Sequence, residues 1–507
     1  MLLRSFLAVL GGVLLTASFE PLALAWLLPF GVAAFALVTA GLSVRRSGVV
    51  GLVFGIAFYF SHIEWMRASV GPDAWVALSA VEALFYALLG LATPVLRRLP
   101  WWPLWLAAAW TTMETLRSGW PFSGMPWGRL SFAAIDTPAA PAVAYVGMTG
   151  LSFLLALVGF LLARAVEERS LPAVGALVAV CAVAVAPAVF PWTVPETGRA
   201  TVAVVQGDVP GPGNDILYDA RGVTENHVDA TVQLAADVAA GDEPAPDFVL
   251  WPENSTAVDP FDDFAVNSGI EEAVRAVGVP VVVGGIVDDG PEHVLNQGIV
   301  WDPVAGPGDR YTKHHPVPYG EYIPFRNIWD PKFGQLALIS RDMRSGTRTE
   351  PLRVAGVQVA DAICFDVAYD DVMPAQVRDG AELLAVQTSN ASFIFTHQIE
   401  QQFAITRLRA IEAGRWLTVA STNGRTGVIS PDGSVVAAAP VRSTKVLVEE
   451  VGLATGLTPA MWLGAWPTRL FTGSTLVALV AGAIAYRRQR EFAGPEDVPA
   501  KEPSDAC

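Results

Sequence analysis

The chain has 507 residues, of which 52% are apolar and 16% charged, with a mean hydropathy of +0.41; this is too apolar for a soluble globular protein of ordinary composition. The formal net charge of −16 argues against a nucleic-acid partner and against electrostatic attachment to anionic lipid. That charge is unevenly placed: residues 1–197 hold 10 Arg, no Lys and 9 Asp or Glu, a net of +1, which leaves −17 for the remainder.

Residues 1–197 are a succession of apolar runs. They predict membrane spans at 3–19, 21–43, 48–61, 74–96, 101–116, 141–163 and 172–191, with an eighth at 470–486. Most are long enough, at about 1.5 Å per residue, to cross roughly 30 Å of hydrocarbon. Arg45 and Arg46, Arg97 and Arg98, Arg164 and Arg169, and Arg487, Arg488 and Arg490 fall in alternate connections. Lys and Arg are retained on the cytoplasmic side, so the long polar segment is expected outside. The first run, with Arg4 and Thr16-Ala17-Ser18, also fits a cleaved signal peptide loosely; eight spans keep both termini inside without cleavage. The expected organisation is a membrane domain at 1–197 with about seven transmembrane helices, an α/β extracytoplasmic domain at 198–466, a transmembrane helix at 467–490 and a disordered cytoplasmic tail at 491–507.

From Thr201 strand runs alternate with helix runs. Strands are expected at 201–209, 248–251, 280–287 and 297–301, with helices near 221–239 and 264–277. After a loop region at 303–350 come a strand at 352–363, a helix near 370–379, a strand at 383–388 and a helix near 398–413. Strands at 417–421, 427–430 and 445–451 complete the series, with no heptad or longer repeat, which is the pattern of a layered α/β domain. Two loops are apolar for exposed connections: 323–339, with Trp329, Phe333, Leu336 and Leu338, and Phe393-Ile394-Phe395. They either pack on their own domain or form lids touching the bilayer, with Trp329, Phe393 and Phe395 as substrate-contacting candidates.

Three residues stand at strand ends or in loops of this segment. Glu253 follows the apolar strand Phe248 to Leu250 in Trp251-Pro252-Glu253-Asn254, Lys313 opens the run to Glu321, and Cys364 ends the strand from Val357. Of the three cysteines, Cys181 lies in an expected span and Cys507 at the C-terminus, so Cys364 has no disulfide partner in prospect. A free thiol is only a few per cent thiolate at neutral pH and needs a base or a nearby cation. Glu253 is the candidate base, Lys313 the candidate stabiliser of thiolate and oxyanion, and Glu321 a candidate support for the lysine. Backbone N–H groups at the start of the helix after Cys364 would add to that stabilisation. His314 and His315 adjoin the lysine, but scattered histidines without ligand spacing give no metal motif; no metal or cofactor is expected.

The order Trp-Pro-Glu, then Lys before Pro-Tyr-Gly-Glu-Tyr-Ile-Pro, then Ala-Ile-Cys, resembles the nitrilase superfamily with its Glu-Lys-Cys triad and αββα sandwich. The resemblance narrows to the integral membrane branch, the apolipoprotein N-acyltransferases. It is carried by Val205-Gln206-Gly207, Trp251-Pro252-Glu253, Gly320-Glu321-Tyr322-Ile323-Pro324, Ser421-Thr422-Asn423-Gly424 and Thr455-Gly456-Leu457-Thr458-Pro459. In the apolar half Glu114-Thr115-Leu116-Arg117, Gly119-Trp120 and Pro126-Trp127 also look like that family. Phe365-Asp366, Ser389 to Ile394 and Ile216-Leu217-Tyr218 depart from its usual residues.

The resemblance implies a monomer in the bacterial cytoplasmic membrane that takes a fatty acyl chain from a membrane phospholipid onto Cys364. It then passes that chain to the α-amino group of a diacylglyceryl-modified apolipoprotein. A membrane-tethered amidase acting on small amides and a non-catalytic membrane scaffold are the alternatives; the intact triad weighs against the second.

Overall fold

The computed structural model describes residues 1–332 and 334–492. Phe333, Cys507 and all but the first two positions of the expected tail lie outside the described residues. Eight helices precede the first strand: α1 (Leu2–Thr16), α2 (Leu28–Thr39), α3 (Val44–His62), the short α4 (Trp65–Ser69), α5 (Pro72–Leu96), α6 (Trp102–Gly119), α7 (Val143–Glu168) and α8 (Leu171–Val189). α2 starts later than its expected span, because a 3-10 turn at Ala25–Leu27 precedes it and Pro29 sits in its first turn, where a missing N–H costs nothing.

Val44–His62, Pro72–Leu96, Ala140–Glu168, Leu171–Val189 and Trp466–Arg488 are long and apolar enough to cross a membrane, and Leu2–Thr16 and Ala25–Thr39 are apolar but shorter. The protein is a membrane protein on this ground. α3 and α5 touch backbone to backbone: a Cβ on Gly51 would stand 2.4 Å from the Tyr86 carbonyl oxygen, and one on Gly90 2.5 Å from that of Ser47. Small residues at such a seam replace the hydrophobic drive that lipid cannot supply.

Polar groups on α6 hold the loop that follows it. Arg117, fully buried, donates to the carbonyls of Met125 and Trp127 at 2.8 and 2.6 Å. Glu114 Oε1 accepts from Trp110 Nε1 and the Leu130 amide at 3.0 and 2.9 Å. The residues 120–130 are thereby fixed at one end of the helices.

Two sheets follow. The first contains β1 (Glu196–Gln206), β2 (Phe248–Leu250), β3 (Val281–Asp288), β4 (His293–Asp302), β5 (Gly306–Thr312), β6 (Asp342–Met343) and β13 (Lys445–Ala454), in the order β13-β1-β2-β3-β4-β5 with β6 beside β4. The second contains β7 (Leu352–Val354), β8 (Val357–Ile363), β9 (Leu383–Thr388), β10 (Leu417–Ser421), β11 (Gly427–Ile429) and β12 (Val435–Ala438), in the order β12-β11-β10-β9-β8-β7. At the centre of each lie three parallel strands, β1-β2-β3 and β8-β9-β10.

Alternation assigns the faces of the first sheet. Ala203, Val205, Val249, Trp251, Val281 and Val283 pack with α9 (Ala220–Ala240) and α10 (Phe264–Val277). Val202, Val204, Phe248, Leu250 and Val282 turn the other way, into the core shared with the second sheet. Each fully buried Val or Leu contributes about 1.5–3 kcal/mol. α11 (Met373–Arg378) and α12 (Gln398–Ala413) cover the second sheet, and α13 (Pro459–Leu463) leads into α14 (Trp466–Phe492). The layers are α-β-β-α, and this is a nitrilase-like sandwich.

Three expectations need correction. The strand expected at 352–363 is two antiparallel strands, because Ala355 and Gly356 both adopt left-handed φ, 50° and 86°, and make a tight hairpin. The loop region 303–350 holds β5 and β6, whose periodic signal is diluted by Gly306, Pro307 and Gly308. The helix expected near 370–379 shrinks to α11, with Pro374 in its first turn.

α12 joins the helices to the sandwich. Gln401 accepts from Trp65 Nε1 and Trp127 Nε1 at 3.0 and 2.8 Å and donates to the carbonyls of Glu20 and His62 at 3.0 and 3.2 Å. Asp370 takes Arg129 and Arg409 on its two oxygens, each at 2.9 Å. Glu412 accepts the Met148 amide at 3.1 Å, where α7 is broken by Gly147 (φ 69°, ψ 177°).

Gly51→Leu forces α3 from α5; the expected outcome is a melting temperature in detergent lower by several degrees, with Gly41→Leu too as a control where nothing lies within 4 Å of the added atom. Since Gly41 has a φ of +67°, its own strain is local and costs about 1–2 kcal/mol, so an equal loss in both variants rejects the packing account.

Candidate active site

Four strand ends converge on one buried cluster. Beyond β2, Glu253 is 3% exposed, and the approach of its segment to β3 depends on Gly284, where a Cβ would lie 2.1 Å from the Pro252 carbonyl oxygen. Glu253 Oε1 accepts from Lys313 Nζ at 3.2 Å and Asn296 Nδ2 at 2.7 Å, and Oε2 accepts from the Ser389 amide at 2.7 Å. Lys313, directly after β5, is fully buried and also donates to Glu321 Oε1 at 2.6 Å. Glu321 Oε2 in turn accepts the Val317 amide at 2.8 Å, across the turn that carries Tyr319 and Gly320.

Cys364 directly follows β8, is 5% exposed and has φ +55°. A non-glycine residue held there stores about 1–3 kcal/mol of strain, a feature concentrated at functional sites. The turn that holds it is a 3-10 segment, Cys364–Ala368, and α11 starts only at Met373; the amides available next to the sulfur are therefore those of this turn and not of an α-helix.

Asp366 ties that turn to the lysine segment. Its Oδ2 accepts from Tyr311 Oη at 2.8 Å and the His314 amide at 3.1 Å, and Oδ1 accepts the His315 amide at 2.8 Å. The parts played by the side chains of Asp366, Asn296, Tyr311 and Thr388 and by the Ser389 amide escaped the sequence reading as a set. Asn296 and its neighbour Gln297 were the legible signal, two adjacent amides inside a mostly apolar strand.

The charges are mutually dependent. Burial works against the Lys313 ammonium, but Glu253, Glu321, Cys364 and Asp366 together hold its pKa well above the usual range. Burial pushes Glu321 up, partly offset by Lys313, although a fifth of its side chain remains accessible. Burial, reinforced by the Glu253 charge, pushes the Cys364 thiol up, while Lys313 and a hydrogen bond with Thr388 pull it down. The resting sulfur is accordingly a thiol. Moving its proton to Glu253 transfers negative charge from carboxylate to sulfur beside a cation that is already fixed, which is the arrangement nucleophilic catalysis requires.

The aromatic candidates occupy different places. Phe393 is partly buried, with ring centroids 5.5 Å from Trp65 and 6.3 Å from Phe365, and Phe365 stacks on Trp127 at 4.6 Å. Phe395 is 81% exposed, and Trp329 lies 6.1 Å from Tyr319 on the outer loop. Phe122 meets Tyr319 and Phe325 at 6.0 and 5.5 Å, so the loop after α6 flanks the site.

A buried Glu, Lys and Cys at the strand ends of an α-β-β-α sandwich define a carbon–nitrogen hydrolase domain, and residues 201–456 match the family described as Carbon-nitrogen hydrolase. Residues 11–161 match the Apolipoprotein N-acyltransferase N-terminal domain. The chain belongs to the apolipoprotein N-acyltransferase family. It is 35% identical to the apolipoprotein N-acyltransferase of Mycolicibacterium smegmatis, over 89% of this chain and 80% of that one. It is 32% identical to that of Ralstonia nicotianae, over 95% of this chain and 93% of that one. Among solved structures, an amidase from Nesterenkonia sp. matches at 17% identity and a TM-score of 0.35, covering 53% of this chain and 94% of that one.

Lys313→Met removes the cation that favours thiolate. The alkylation rate of Cys364 by iodoacetamide, followed by intact mass, is expected to fall at least about tenfold at neutral pH, one pKa unit being a factor of ten. Its pH midpoint is expected to move upward; an unchanged midpoint would show that Lys313 does not act on the sulfur.

Proposed function

We propose that this protein transfers a fatty acyl chain from a membrane phospholipid to the α-amino group of the S-diacylglyceryl-cysteine that begins an apolipoprotein, with Cys364 as nucleophile, Glu253 as general base and acid, and Lys313 as oxyanion stabiliser. Glu321 positions the lysine. The observation that carries this reading is the fully buried Lys313 held between two carboxylates beside Cys364, in a chain that has membrane-length helices and whose loop after α6 flanks the same site.

In the first half-reaction the Cys364 proton passes to Glu253 as sulfur bonds to the ester carbon. The oxyanion forms near Lys313, the carbon–oxygen bond breaks, and the proton from Glu253 leaves with the lysophospholipid. In the second, the amine attacks the thioester, Glu253 takes the amine proton, and the departing sulfur recovers it as a thiol. The burial of the site supports this order, since a thioester survives only where water is excluded. Residues 1–197 and 467–490 embed the monomer in the cytoplasmic membrane, and 198–466 face the extracytoplasmic side, a reading supported by the alternating Arg clusters. Phe393 is a candidate contact for the acyl chain by its place beside Phe365; Phe395 and Trp329 would meet substrate at the outer rim.

Protein incubated with phospholipid is expected to gain one fatty acyl mass on Cys364 and to lose it to a diacylated lipopeptide, yielding an N-acylated product. Cys364→Ser gives no adduct, and Glu253→Gln slows acylation by about 10²–10⁴-fold. An adduct of equal yield in Cys364→Ser, or ammonia release from small amides without any N-acylated lipopeptide, would reject the proposal.

A further inference from the structure

His314 and His315 follow Lys313 without a gap, and Asp371 lies a short way past the nucleophile turn. The fold brings one ligand-capable atom of each within 4.8 Å of the other two. His315 Nε2 stands 2.9 Å from Asp371 Oδ1, and the two imidazole centroids are 4.9 Å apart. Both histidines have their backbone amides held by Asp366. The His315 ring stacks on Tyr369 at 3.8 Å and 12°, and Tyr369 Oη donates to the Gly124 carbonyl at 3.2 Å.

The His315 ring is thereby held before any ligand arrives, with the His314 backbone fixed beside it. The cluster is also open on one side, since the His315 side chain is 15% exposed and that of Asp371 60%. Two imidazoles, one carboxylate and an open direction make a donor set suited to a borderline divalent cation that keeps a water as fourth ligand. Magnesium and calcium, which prefer oxygen donors, fit it poorly.

We propose that His314, His315 and Asp371 form a binding site for one Zn²⁺ ion, separate from the Glu253-Lys313-Cys364 cluster. With Zn–N and Zn–O bonds of about 2.0–2.2 Å, a tetrahedral ion needs its ligand atoms roughly 3.3 Å apart. The His315–Asp371 pair is already at that scale, and a ring nitrogen of the partly exposed His314 lies within 4.8 Å of both. The ion would join the segment carrying Lys313 to the segment following Cys364, at the rim, where Asp366 already joins them underneath. Binding and folding are then linked, because only the folded chain brings the three donors together.

The test uses full-length, tag-free protein in detergent, stripped with chelator and dialysed. Titration with ZnCl₂ in a calorimeter is expected to show one equivalent bound with micromolar or tighter affinity, and a melting temperature that rises with zinc but not with MgCl₂. Co²⁺ in place of Zn²⁺ is expected to give the visible absorption of a tetrahedral site. His314→Ala and Asp371→Ala each weaken binding at least tenfold; Asp371 is exposed, so its variant keeps the fold. Cys364→Ser leaves zinc affinity unchanged, which separates this site from the thiol and from the acyl-transfer reading. Undetectable zinc binding, affinity unaltered in both ligand variants, or loss of binding in Cys364→Ser would each overturn the proposal.

Discussion

An ammonium group with no exposed surface sets the terms for the sandwich. A buried carboxylate, a second that is largely covered and a lysine cannot be taken out of water cheaply, and the attraction between them compensates only when the remaining lone pairs and protons are satisfied. Glu253 has its further donors in Asn296 and the Ser389 amide, and Glu321 in the Val317 amide. These partners come from β4, from the end of β9 and from the turn after β5. Both sheets and the intervening loop must therefore be in register before the charge is tolerable. The nucleophile depends on the same set, since its sulfur remains neutral until a proton can move to a carboxylate held this way.

The helical and layered parts meet over polar groups of unusual completeness. One glutamine amide, Gln401, uses its oxygen for two indoles and its nitrogen for two carbonyls. Trp127, one of those indoles, has its carbonyl held by the buried Arg117 and its ring stacked on Phe365, the neighbour of Cys364. A chain of contacts thus runs from an arginine on α6 to the residue beside the thiol. The turn geometry at Cys364 and the shape of the apolar wall next to it are set partly from among the helices.

Much of this was legible in the residues. Apolar runs marked each long helix, since a helix among lipids needs little more than length and composition. Glu253 and Cys364 stood out because each ends a buried run, and Lys313 because it opens the run to Glu321. The missing parts are those whose signal is not local. β5 reads as a loop through its glycines and proline, and is paired by tertiary context with β4. The hairpin at Ala355-Gly356 depends on a left-handed alanine, which no propensity favours. Asp366 looks in one dimension like a departure from the family's usual residue. In three it is the clasp between the lysine segment and the cysteine turn. His314 and His315 have no ligand spacing along the chain, and acquire a carboxylate neighbour only through the fold.

The interruption of α7 bears on how the molecule is assembled. At Gly147 the ladder of peptide hydrogen bonds lapses, and the Met148 amide finds its acceptor in Glu412, 264 residues further along. An amide without an acceptor among hydrocarbon chains is costly. The break falls close to the start of α7, and its amide is satisfied only by a carboxylate from much later in the chain. The first turns of α7 are therefore complete only when α12, from the far half of the chain, is folded against them.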